Sequence, residues 1–315
     1  QIVGVSEHGL VQMAVVAAAM LAWRGAEAAG RAVLHRHVAE GARLLAADGP
    51  AVGAARIAGF GLAGILALSL AGQVLWSLAA DWPFPADLPH GLTLRPWLRA
   101  LPELGRTLGQ TLAIALAATG AALVLVIACL EAELRHGLSP GPWAERALYL
   151  PLLVPQIAVL PGLQALALRT GIEGTGSAVA AVHLVFVLPY VFLSLAPAFR
   201  GWDARHALAA ATLGASPARV FWRIRLPMLL APLMTATALG IAVSAGQYLP
   251  TLLIGGGRVE TLTTEAIALS SGGNRRLIGV WTLAQLILPA TGFALALAVP
   301  RLVFANRRAL REGAR

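Results

Sequence analysis

The chain has 315 residues, of which 58% are hydrophobic and only 12% are charged. Soluble domains carry about 25% charged residues, so this composition, with a mean hydropathy of +0.74, excludes an ordinary soluble domain and indicates a membrane protein. The formal net charge is +9 and all 24 basic residues are arginine; a chain without lysine lacks the group that a Walker A loop sets against the β/γ-phosphates, which excludes a P-loop ATPase.

In chain order, the first apolar run, about 10–22, is short and starts almost at once after Gln1. It reads as a membrane helix completed by its flanks and as the remnant, within 1–45, of something longer. Six runs are long enough to cross a hydrocarbon core with roughly 20 helical residues: 57–79, 107–129, 147–168, 178–199, 228–254 and 279–303. With run 10–22 they predict an all-α, polytopic fold of seven spans. A weak internal echo supports two related halves: 6–31 and 274–308 both run from polar residues through an apolar stretch into arginines.

Arginine bias sets the orientation. The connections 24–56, 130–146, 200–225 and the tail from 301 hold 17 of the 24 arginines; 80–106, 169–177 and 255–278 hold 7. The first set is expected to be cytoplasmic, with the N-terminus outside and the C-terminus inside. Membrane orientation thus accounts for the positive charge better than nucleic acid does. The outer connection 80–106 is rich in Pro and Trp, and is expected to lie along the interface with a short helix starting near Pro96. Gly255-Gly256-Gly257 is expected to end a helix rather than to cradle a phosphate, because no strand precedes it. Cys129, the lone cysteine, is expected to be a small core residue, and no Cys or His spacing points to a metal.

The membrane runs lack what ion-coupled transport and hydrolysis need. No long run has an interior carboxylate to act as a proton relay, and His183 reads as a hydrogen-bonded packing residue. Ser244 in AVSAG lacks the first glycine of a GxSxG elbow, so no catalytic residues are assigned. Uncharged polar residues at depth glue helices or line a path. Gln156, Tyr190, Ser244, Gln247 and Tyr248 are the candidates for a translocation path.

The segment Ala209–Pro227, AAATLGASPARVFWRIRLP, stands between two long apolar runs. Asp203 is suited to cap a helix running to about Leu213. Gly214 suits a left-handed stop, and Ser216-Pro217 suits an N-cap followed by N1. The reading is helix, sharp turn, helix. Arg219 and Arg223 share one face, where they meet either an acidic partner or lipid phosphates. A basic interfacial helix is the bland alternative.

The same stretch resembles the EAA loop of permease subunits in binding-protein-dependent ABC importers. That pattern is Glu-Ala-Ala, three residues, Gly, nine residues, Ile-x-Leu-Pro. Here it is Ala209-Ala210, Gly214 after 211–213, then Ile224-Arg225-Leu226-Pro227 after 215–223. Leu208 stands where the family has Glu. The resemblance covers 57–305, a six-helix type I permease half with a tail at 306–315, and is greatest to fused iron(III)/thiamine-type permeases.

The resemblance implies a transport subunit, not an enzyme, in a bacterial inner membrane. Residues 203–227 would be the coupling loop, with Ala209, Ala210, Gly214, Ser216, Pro217, Arg219, Arg223, Ile224, Leu226 and Pro227 as its site residues and Arg225 beside Arg219 and Arg223 on the docked surface. Implied partners are a cytoplasmic ATPase dimer, which would carry ATP and Mg, a periplasmic or extracellular substrate-binding protein, a second permease half and membrane lipid. No cofactor is expected on this chain. The rival readings are an ion-coupled secondary transporter and a membrane scaffold with a basic interfacial helix.

Overall fold

A computed structural model describes residues 2–39, 45–82 and 88–305. Those residues form helices α1 (Ile2–Ala39), α2 (Leu45–Leu78), α3 (Arg95–His136), α4 (Pro142–Leu153), α5 (Gln156–Arg169) and α6 (Gly176–Arg200). They continue as α7 (Arg205–Thr212), α8 (Pro217–Met228), α9 (Leu230–Ala245), α10 (Leu249–Gly255), α11 (Leu262–Ser270) and α12 (Arg275–Val303). Among the described residues there is no strand beyond an isolated bridge, Ala79 to Leu92. The protein is all-α and polytopic.

The expected runs 57–79, 107–129, 178–199 and 279–303 fall in α2, α3, α6 and α12, each long and apolar enough to cross a membrane. Runs 147–168 and 228–254 are not single rods. The first is α4 plus α5, bent by 98°. Pro155 is the cause: the residue before a proline is driven out of the helical region, and Val154 sits extended at φ −86°, ψ 127°. The second begins after a 71° bend between α8 and α9. There Pro232 cannot bond the carbonyl of Met228 and its ring crowds it. The same run breaks again at Gly246–Tyr248, before α10. Run 10–22 falls in α1, and the side chains of 10–13 and 17 lie outside the described residues, as do residues 40–44 of the expected linker and the tail from 306.

α3, α6 and α9 form the centre, with α12 against α9 and α2 on the outside of α12. Leu130, Val126 and Ala122 of α3 meet Val187, Val191, Leu195 and Phe199 of α6 and Ala236 of α9. More than half of the apolar window of α6 is buried (56%), against 0% for α2. α2 therefore presents Ile57, Phe60 and Leu68 outward. The close approach of α9 to α3 depends on Gly240: a Cβ there would lie 2.6 Å from Thr119 Cγ2. Small residues at such crossings let membrane helices pack by van der Waals contact.

Two expectations are corrected. Cys129 is exposed, not in the core, because Ala122, Val126 and Leu130 hold the inward face of α3 while residue 129 lies on its flank. The short interfacial helix near Pro96 does not stand alone but is the start of α3, which runs on to His136. Proline in a first turn costs nothing, since that N–H has no partner anyway. Gly256 ends α10 in the left-handed conformation at φ 54°, so the triple glycine is a helix end.

Candidate functional site

The segment between α6 and α9 folds as its local signals dictate. The Asp203 carboxylate accepts the Arg205 amide at 2.9 Å and its guanidinium Nε at 2.8 Å. The Arg205 side chain, followed by its amide, holds the Asp203 carboxyl below the usual carboxylate range. α7 then ends at Gly214, φ 77°. The amide of Ala215 donates to the Ala210 carbonyl at 3.0 Å, satisfying an orphan acceptor of the helix end. Ser216 restarts the chain as N-cap of α8, its hydroxyl accepting the Arg219 amide at 3.4 Å. Pro217 occupies the first turn. The result is helix, sharp turn, helix.

Residues 221–225 form a π turn, in which Leu226 N–H donates to the Phe221 carbonyl. Pro227 explains it. Without an N–H it cannot continue the α ladder to Arg223, and a π turn relieves the clash of its ring. Ile224, Leu226 and Pro227 are half-buried at this junction.

Exposure divides the loop into two sides. Ala210 and Val220 are buried against the protein. Ala209, Gly214, Ser216, Pro217, Arg219 and Arg223 face outward. Beside them Leu208 is 66%, Trp222 67% and Leu213 87% exposed. Among the described residues Arg219 and Arg223 make no ion pair.

Arg225 does not belong to that outer face. It is only 9% exposed, pairs through Nη1 with the Glu131 carboxylate at the end of α3, and lies over the Trp202 ring at 4.4 Å. It anchors the loop to the bundle instead of meeting a partner. Glu131 also takes Arg135 at 3.0 Å, while Arg200 bridges Glu133 at 3.0 Å and Glu145 at 2.9 Å. The sequence holds a signal for this clamp: carboxylates in the last turns of a helix oppose its dipole, so Glu131 and Glu133 call for cations from elsewhere.

Of the path candidates, Ser244 and Gln247 come together around His183. His183 Nδ1 lies 2.8 Å from Ser244 Oγ, and Nε2 lies 3.0 Å from Thr251 Oγ1. Thr251 donates onward to the Gln247 carbonyl at 2.7 Å. His183 is thus a hydrogen-bonded packing residue joining α6, α9 and α10. Gln247 Nε2 reaches the His183 carbonyl at 3.5 Å, and its Oε1 is buried without a partner among the described residues. No hydrogen bond ties Gln156, Tyr190 or Tyr248 to this cluster. Thr251 is the member that the sequence reading missed. Among the described residues no group of His, Cys, Asp or Glu could hold a metal.

Comparison with known proteins now decides the family. The family described as "Binding-protein-dependent transport system inner membrane component" matches residues 124–306, which include α6 to α12 and the whole loop. The chain belongs to this family. It is similar to the inner membrane ABC transporter permease protein YnjC of Escherichia coli, 40% identical over 64% of this chain and 38% of that protein. It is also similar to the putative 2-aminoethylphosphonate transport system permease protein PhnV of Salmonella typhimurium, 28% identical over 66% of this chain and 78% of that protein. A third relative is the molybdenum transport system permease protein ModB of Mycobacterium bovis, 31% identical over 44% of this chain and 55% of that protein. The chain thus spans well under half the length of YnjC. As a member of this family the protein is a membrane-embedded permease component, and the match takes in the whole exposed loop.

Proposed function

We propose that this protein is the membrane-spanning permease of an ATP-driven solute importer, in which α7 and α8 form the coupling loop seated on a separate ATPase. One observation carries the reading: α7, the Gly214 turn and α8 project two short helices outward with Arg219 and Arg223 unpaired among the described residues, while Arg225 ties the end of α8 to Glu131 of α3. A rigid knob of this kind transmits a push from an ATPase into α3, α6 and α9. The arginine bias favours the same end as cytoplasmic, with the C-terminus on that side. A binding protein would deliver solute at the opposite end, a second permease half would complete the cavity, and Gln247, with its free Oε1, is the best-supported contact along the path. The ion-coupled alternative loses support because the described spans carry no carboxylate at mid-depth.

The test is Gly214→Val in the reconstituted transporter. A β-branched residue in the left-handed region costs about 1–2 kcal/mol, enough to distort the turn and cut solute uptake by roughly tenfold or more. Membrane insertion and ATP hydrolysis are expected to persist. Undiminished uptake by this variant overturns the assignment.

A further inference from the structure

At the end of the bundle opposite the coupling loop, a cavity of about 750 Å³ opens between Ala80, Thr93, the first turns of α3, α11 and the start of α12. Arg95, Arg99, Glu103, Glu265, Asn274, Arg276 and Trp281 are among its walls. Two of these five charges, Glu103 and Arg276, are already committed. Glu103 accepts from Arg106 Nε at 3.2 Å, and Arg106 also pairs with Glu260. Arg276 reaches Asp81 at 3.8 Å and the Ala80 carbonyl. What remains is Arg95 and Arg99, one helical turn apart, and Glu265 on α11. Among the described residues neither arginine has a side-chain partner, and Glu265 feels Arg106 only at longer range. Two free guanidinium groups on one wall and a free carboxylate on another match a ligand that carries an oxyanion and an ammonium.

A second observation says where that ligand comes from. Leu94, Leu98 and Leu101 are exposed. At spacings of four and three they form a stripe on α3 directly beside the Arg95/Arg99 stripe. Trp76 and Trp82 pack edge to face at 6.2 Å at the end of α2, Trp97 lies in the first turn of α3, and Trp281 lines the cavity. Tryptophans gather at the membrane–water boundary. A charged pocket beside exposed leucines and among tryptophans suits a head group with acyl chains attached, and suits a small free solute less well.

We propose that this cavity seats the head group of a zwitterionic phospholipid of the phosphoethanolamine class. Arg95 and Arg99 donate to the phosphate oxygens, as guanidinium forks do; Glu265 accepts from the ammonium, and the acyl chains run along Leu94, Leu98 and Leu101. The site is independent of the coupling loop and stands whether or not that loop seats an ATPase.

The test is native mass spectrometry of the full chain offered equimolar phosphatidylethanolamine and phosphatidylglycerol. The wild type is expected to retain the ethanolamine lipid preferentially. Arg95→Ala with Arg99→Ala should lower retention of both lipids by roughly tenfold or more, since bonds to charged groups are the strong ones. Arg95→Lys with Arg99→Lys, which preserves the charge and serves as the folding control, should restore most of it. Glu265→Gln should abolish the preference while leaving phosphatidylglycerol retention unchanged. Equal retention by wild type and the double alanine variant overturns the proposal. So does full displacement of lipid by water-soluble phosphorylethanolamine at equal concentration, which would mark a site for a free solute.

Discussion

The loop between α6 and α9 and the His183 cluster hold polar residues under opposite rules. In the cluster every ring nitrogen and hydroxyl answers another group: His183 meets Ser244 and Thr251 on two neighbouring helices, and Thr251 meets the Gln247 carbonyl one turn back. In the loop the cations divide. Arg225 is consumed by Glu131 and Trp202, while Arg219 and Arg223 stay free at the surface. Buried polar groups must be satisfied internally, so the cluster is cement. Of these two regions, only the loop keeps unspent charge for a second molecule. The difference teaches that polarity in a membrane protein points to function where it remains unpaired.

Mutations test this contrast. The largest stability effect is expected from Arg225→Ala, which takes from the Glu131 carboxylate its more buried cation and leaves it Arg135 alone in a nearly closed site. Removing one partner of a buried pair costs about 3 kcal/mol or more, measurable as a lower unfolding midpoint in detergent. Glu131→Gln in the same background should recover part of the loss. If Arg225→Ala instead left stability intact and only weakened ATPase binding, Arg225 would belong to the docking face after all.

His183→Ala comes next. It leaves the Ser244 hydroxyl unpaired and opens a cavity between α6, α9 and α10, a combined cost of about 2–3 kcal/mol. Uptake per folded molecule should change little. A selective rise in KM for solute with unchanged stability would move His183 from cement to path.

Gly240→Ala is expected to cost about 1–3 kcal/mol by overpacking, because the new Cβ meets the short, stiff Thr119 side chain at 2.6 Å. Thr119→Ser in the same background should relieve it. The smallest stability effect belongs to Arg219→Ala with Arg223→Ala, within about 0.5 kcal/mol as for exposed positions. Its signature is different: weaker ATPase association, with the loss largest at low salt, where surface charge is least screened. Unaltered association would place the docking energy on Leu208, Leu213 and Trp222.

Much of the loop was legible because its instructions are local. Asp203, Gly214, Ser216 and Pro217 each act within three residues of themselves, so the helix, turn and second helix follow from chain order alone. The exposed leucine at 208, in the position where the family pattern has Glu, was equally visible. The bends were only half legible. Pro155 and Pro232 announce breaks, but the 98° and 71° angles depend on what the segments pack against. The outward turn of Cys129 and the inward turn of Arg225 were not legible, since each depends on which flank of a helix faces a neighbour.

The sequence by itself determined that this is an all-α polytopic protein with a basic, two-helix loop, because hydropathy, capping and turn chemistry are short-range properties of the chain. Only the tertiary structure decided which polar groups are free. Arg225 and Glu131 are 94 residues apart, and His183 is 61 residues from Ser244 and 68 from Thr251. Pairing at such separations is set by helix packing, and among the described residues packing leaves Arg219 and Arg223 unpaired at one end, Arg95 and Arg99 at the other, and His183 fully engaged between them.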